Sequence, residues 1–142
     1  MKLEILQMYK KEIIKNYDHA VLTSNIEAIG DEAFFNSIIG MCIKYETLTA
    51  DLEEQIFNRE PKYNHPWSNT REISKKLRVN ITKEYAIAHD AWDLYNTLKH
   101  VNDKTEVEQV KLFKKYKLNG IQEAAIFVRN ALINLINKLD HR

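Results

Sequence analysis

The sequence predicts an all-α fold, a single domain over residues 1–142 built as an antiparallel bundle of five to six helices. Three observations lead there. Only three glycines and two prolines interrupt the 142 residues, so long stretches carry no helix breaker. Apolar residues recur three, four or seven positions apart, the spacing that lines one face of an α-helix. Alternation of β-branched and polar residues, the mark of a half-buried strand, is scarce. The length suits one hydrophobic core, and 44% apolar with 29% charged residues is a globular balance.

The elements follow in order. Leu3, Leu6, Ile13, Tyr17 and Ala20 form one apolar stripe, which predicts a first helix from about Leu3 to about Thr23. Ser24-Asn25-Ile26-Glu27 fits a capping box and suggests a break there. Gly30-Asp31 offers a stop and a new cap. A second long helix is expected from about Glu32 to about Asn58, with Phe34, Ile38, Cys42, Tyr45, Leu48, Leu52 and Ile56 on its inner face. Arg59 to Asn69 holds both prolines and reads as a loop. A short helix with Ile73 and Leu77 inward comes next. Asn80 or Thr82 then caps a helix running to about Val101. Thr105-Glu106-Val107-Glu108 is a further capping box, and Gly120 ends the helix it opens. The last helix runs from Ile121 to about Leu139, with Phe127 or Val128, Ala131, Leu135 and Leu139 inward.

Composition excludes several classes. The net charge of +1 gives no strong global field for nucleic acid or membrane, although a local basic patch stays open. The one cysteine, Cys42, rules out an intramolecular disulfide and a multi-cysteine zinc site, and its apolar neighbours read it as a small core residue. The N-terminus lacks an apolar signal core, and no stretch reaches the ~18 apolar residues of a membrane span. A cytoplasmic protein without membrane contact is expected, and the Asn80-Ile81-Thr82 sequon reads as accidental. Glycine-rich phosphate loops, nucleophile elbows and Ser-His-Asp or Cys-His arrangements are missing, so no cofactor is expected.

Chemistry concentrates in Tyr85 to Lys104. At about 100° per residue, Ile87, Ala91, Leu94 and Leu98 share a core arc. Tyr85, Ala88, Trp92 and Tyr95 form a second, aromatic arc. Beside it His89, Asp93, Asn96 and His100 fall four, three and four apart, which places them on one helix face. Such a stripe suits acid–base chemistry, since histidine titrates near neutral pH. It equally suits a solvated face whose members bond one another. His89 and Asp93 stand in an i, i+4 relation that a metal could use, but no HExxH-like motif accompanies them and no metal is expected.

Tyr95-Asn96-Thr97-Leu98-Lys99-His100 resembles the signature of the HEPN superfamily (higher eukaryotes and prokaryotes nucleotide-binding): an arginine, commonly followed by a polar residue such as asparagine, then three variable residues and a histidine. Asn96 and His100 match, and the motif stands ahead of a final helix, as in the family. Tyr95 occupies the arginine position. Lys99 brings a positive charge, but on an ideal helix it projects about 60° from Asn96 and about 100° from His100. Arg129-Asn130-Ala131-Leu132-Ile133-Asn134 is a second partial copy, with the arginine but with asparagine in place of histidine. The resemblance implies a metal-independent ribonuclease, or a degenerate module that binds RNA or a protein partner in toxin–antitoxin or phage-defence systems. It also implies a homodimer in which two motifs meet. His100 would be the acid–base residue and Asn96 would orient it or the phosphate, with Tyr95, Lys99, Asp93 and His89 as binding residues. Without the family's arginine, an effect worth roughly 3 kcal/mol in comparable sites is missing. The alternative is a non-enzymatic immunity or inhibitor protein.

Two further features stand out. Lys111, Lys114, Lys115 and Lys117 surround Phe113 and Tyr116, which suits either phosphate contact beside a stacking ring or a solvated helix face. The loop aromatics Tyr63 and Trp67 suit either a partner contact or packing back onto the bundle.

Overall fold

The computed structural model describes residues 3–27, 30–61 and 65–140. They form six helices: α1 (Glu4–Glu27), α2 (Gly30–Phe57), α3 (Pro66–Leu77), α4 (Thr82–Lys99), α5 (Asp103–Lys115) and α6 (Ile121–Asp140). No strand occurs among the described residues. The all-α bundle expected from periodicity is what forms.

Cross-contacts fix the directions. Asn16, Glu12 and Tyr9 of α1 meet Ser37, Lys44 and Asp51 of α2 in reversed order, so the two helices are antiparallel. Gln7 meets Asp140 while Arg129 covers the Tyr17 ring, so α6 is antiparallel to α1 as well. α2 and α6 form the spine, with α1 and α4 packed against them; α3 leans on α2 and α5 on α4. Leu6, Ile13, Ile38, Cys42, Leu48, Leu52, Leu94, Leu132 and Leu135 are fully buried between the helices. Burial pushes the Cys42 thiol well above its ordinary range, which leaves it an inert core residue.

Several boundaries differ from the sequence expectation. α1 does not break near Thr23. Ser24 lies inside the helix, where its hydroxyl donates to the Val21 carbonyl at 2.9 Å, a bond that competes with capping. Nor does Thr105 open α5. Asn102 is the cap: its side chain accepts from the Thr105 N–H, and the Thr105 hydroxyl accepts from the Asn102 N–H in return. Thr105 is therefore the far half of a capping box that begins three residues earlier. α5 stops at Lys115, not at Gly120, because Lys117 turns left-handed at φ 54°. Gly120, at φ 137°, instead sits at the entry to α6. The expected loop ends at Pro66, the first residue of α3, where proline loses nothing by lacking an N–H; the His65 ring accepts from the Trp67 N–H there.

Arg59 and Trp67 are among the side chains that bind α3 to the bundle. Arg59, just past α2, reaches Glu72 of α3 at 2.5 Å and stands 3.9 Å from the fully buried Glu53 of α2. Trp67 is 2% exposed. Its indole stacks on Tyr45 of α2 at 5.5 Å and meets Tyr85, His89 and Trp92 of α4 at 5.5, 5.3 and 5.8 Å. Of the two readings of this loop aromatic, packing onto the bundle is the one that occurs. Tyr63 lies outside the described residues.

Truncating Trp67→Ala removes the ring that three helices share. It should lower the unfolding free energy by about 3–5 kcal/mol in urea denaturation. A loss below ~1 kcal/mol would mean that the indole is not a structural anchor.

Candidate functional site

α4 carries the residues singled out by the sequence. α3 closes in a left-handed cap at Arg78, and the Asn80 side chain accepts from both the N–H and the hydroxyl of Thr82 before α4 begins. Ala88, Trp92 and Tyr95 face inward. His89, Asp93 and Asn96 each follow one of these by a single residue, and all three are half-buried at the helix edge.

Within that edge the residues divide into two groups. His89 Nδ1 stands 3.2 Å from Asp93 Oδ2. The imidazole is pinned from behind by Trp67 and Tyr85. Asp90 joins them, so that one ligating atom each from His89, Asp90 and Asp93 lies within 4.8 Å of the others. Cationic and hydroxyl partners already occupy Asp90: Lys115 Nζ donates to its Oδ2 at 2.8 Å, and the Tyr116 hydroxyl donates to the same oxygen in a very short bond. Burial holds the Asp93 carboxyl above its ordinary range. His89 acts against that shift, while Asp90 and Glu108 of α5 add to it.

The second group lies at the C-terminal tip. α4 ends at Lys99, two residues short of the expectation, and His100 is its C-cap. His100 has left the helix, at φ −122° and ψ 86°, with its N–H still bonded to the Asn96 carbonyl at 3.0 Å. Its side chain is exposed, while Asn96 is half-buried in the last turn. The four-residue stripe therefore holds on one helix face through Asn96, and His100 continues it as a capping residue.

Tyr95, in the arginine position of the motif, is 1% exposed and packs edge-on against Trp92 at 5.0 Å. The Lys99 ammonium lies 5.5 Å above the Tyr95 ring. Burial raises the carboxyl of Glu46 on α2, and the charges of Lys99 and His65 pull it the other way. Glu46 was not singled out by the sequence, because its link to Lys99 joins two helices that only the fold brings together. The second partial copy does not supply the missing cation at this tip. Arg129 lies over Tyr17 of α1 and bonds Asn130, and Asn134 lines a groove between α4 and α6.

The basic cluster after the motif is partly engaged inside the protein. Lys115 is tied to Asp90, and the Tyr116 ring packs on Phe127 of α6 at 4.2 Å while its hydroxyl bonds Asp90. Tyr116 is thus a strut between α4, α5 and α6, not an open stacking platform. Compared with known proteins, the chain gives no significant match to a family model, a curated protein or a solved structure.

Two outcomes follow from this geometry. Tyr116→Phe leaves Asp90 with Lys115 alone and should cost about 1–2 kcal/mol in chemical denaturation, with faster amide exchange across α5. An unchanged exchange pattern would show that the strut does not hold α5. Because the fold raises the Asp93 pKa, the carboxylate opposes folding above that pKa, and the penalty disappears below the unfolded value. Asp93→Asn should therefore be as stable as the parent or slightly more so at pH 7, by less than ~1 kcal/mol, with the gap closing as pH falls toward 4. A clear loss of stability at pH 7 would reverse that sign.

Proposed function

We propose that this chain is a HEPN-like helical module that works by binding rather than cutting, as a component of a toxin–antitoxin or phage-defence system. The system is carried over from the motif resemblance. The non-cleaving character rests on one observation: the side chain in the arginine position, Tyr95, is buried in the aromatic cluster. A phosphoryl-transfer transition state needs a cation aimed at its developing charge. The basic group on the motif, Lys99, lies over the Tyr95 ring. His100 and Asn96 remain as a hydrogen-bonding pair at the tip of α4, where they contact RNA or a partner chain without chemistry.

A second reading, a non-enzymatic immunity or inhibitor protein, is favoured by the net charge of +1 and by large apolar side chains exposed on α5. It shares the absence of cleavage and differs in the partner.

Incubating the purified chain with a mixed RNA pool, with and without EDTA and beside His100→Ala, tests the proposal. Neither protein should shorten the RNA. Metal-independent cleavage that disappears in His100→Ala would overturn the non-cleaving reading and restore the nuclease. Retention of RNA at low salt by the parent, weakened at least ~tenfold in His100→Ala, favours RNA as the partner. No retention favours the protein-binding alternative.

A further inference from the structure

The polar edge of α4 brings three possible metal ligands together. His89, Asp90 and Asp93 each offer one donor atom, and the three atoms lie within 4.8 Å of one another. Among the described residues no other trio of histidine, cysteine or carboxylate side chains converges in this way. Spacing alone singles out His89 and Asp93, one turn apart. Asp90 stands about 100° round the helix from His89 and about 60° from Asp93, so all three fit one arc. Each is half-buried, which leaves an ion a path from solvent.

The distances suit an ion between the side chains. A charge-assisted N–H···O bond is ordinarily about 2.7–2.9 Å long. His89 Nδ1 and Asp93 Oδ2 stand 3.2 Å apart. Two ligands on one tetrahedral zinc ion, each about 2.0–2.1 Å from it, are separated by about 3.3 Å. The pair already has the separation of two donors on one ion, and rotation of the Asp90 carboxyl brings in the third.

The donors are also held from behind. Trp67 and Tyr85 flank the His89 imidazole at 5.3 and 6.1 Å. Lys115 and Tyr116 both donate to Oδ2 of Asp90, which leaves Oδ1 for a ligand. Outer partners of this kind orient ligating carboxylates and imidazoles in metal sites. Charge points the same way. Glu108 of α5 lies near enough for its charge to act on Asp93. Asp90, Asp93 and Glu108 bring three negative charges, and Lys115 offsets one of them, so the charge left over matches a divalent cation. One imidazole nitrogen with carboxylate oxygens suits zinc and its late first-row neighbours. Magnesium and calcium take oxygen ligands instead.

We propose that His89, Asp90 and Asp93 bind a single divalent transition-metal ion of the zinc class at the α4–α5 seam. Three protein donors leave a tetrahedral ion one further position, open to water. The site uses neither Asn96 nor His100 and holds whether or not the chain binds RNA.

Calorimetric titration of the tag-free chain with zinc(II), repeated with cobalt(II) and read by visible absorption, tests this. The parent should saturate at one equivalent of either ion. Loss of an outer partner alone commonly costs 10–100-fold in metal affinity, so loss of a ligand should cost at least ~tenfold. Asp93→Asn and His89→Phe, the second of which keeps a ring against Trp67 and Tyr85, should each weaken binding by that much. Circular dichroism should show both variants as helical as the parent. His19→Ala, on α1, should bind as the parent does. Magnesium(II) in roughly thousandfold excess should not displace the cobalt. A parent without saturable binding at one equivalent overturns the proposal. So does parent-like binding by Asp93→Asn or His89→Phe, or weakened binding by His19→Ala, since the ion would then sit elsewhere. Displacement by magnesium(II) also overturns it, and leaves the edge an acidic patch without preference for a metal.

Discussion

Burial of the Trp67 indole sets the rotation of α4. The ring enters from the start of α3, stacks on Tyr45 of α2 and receives the edges of Tyr85 and Trp92. For α4 to meet it, Ala88, Trp92 and Tyr95 must face inward. On a helix, the residue after each of these lies about 100° further round. Those residues are His89, Asp93 and Asn96, so the polar edge of α4 is a geometric consequence of the aromatic arc beside it. The same constraint takes Tyr95 into the core. A motif that needs a cation in that position and an inward-facing aromatic arc cannot satisfy both on this helix.

Charge within this part of the molecule is largely consumed internally. Asp90 takes a proton donor from Tyr116 and an ammonium from Lys115. Asp93 is shared between His89 on one side and the repulsion of Asp90 and Glu108 on the other. The charge of Lys99 acts on Glu46 across the α2–α4 seam, against the upward push of burial on that carboxyl. Arg59 is divided between Glu53 and Glu72. With a net charge of +1, these internal contacts leave no strong overall field for a phosphate backbone.

The all-α fold was legible because helical periodicity is local: Ile38, Cys42, Leu48 and Leu52 mark the inner face of α2 without knowledge of what covers it. Helix starts were less legible. Asn102 and Thr105 can each open a capping box in sequence, and only the reciprocal bonds between them decide that Asn102 is the cap. That choice also ends α4. Asn102 must be extended, at φ −159°, to cap α5, so the chain has to leave the helix before it, and His100 is where it does. In the candidate site, the spacing of His89, Asp93 and Asn96 was readable. The pairs Asp90–Tyr116, Lys99–Glu46 and Arg59–Glu72 were not, because each joins residues brought together only by the packing of separate helices.

α5 covers the polar edge of α4. It packs chiefly on α4, with Leu112 as its only fully buried residue. Its seam runs antiparallel to α4, so that Glu108 faces Asp93 while Lys115 and Tyr116 face Asp90. A helix held by Leu112, the partly buried Phe113 and a few polar contacts belongs to the low end of local stability. Movement of α5 away from α4 would remove Glu108 from Asp93 and release Asp90 from its two donors. The acid–base character of the α4 edge is therefore tied to the position of α5.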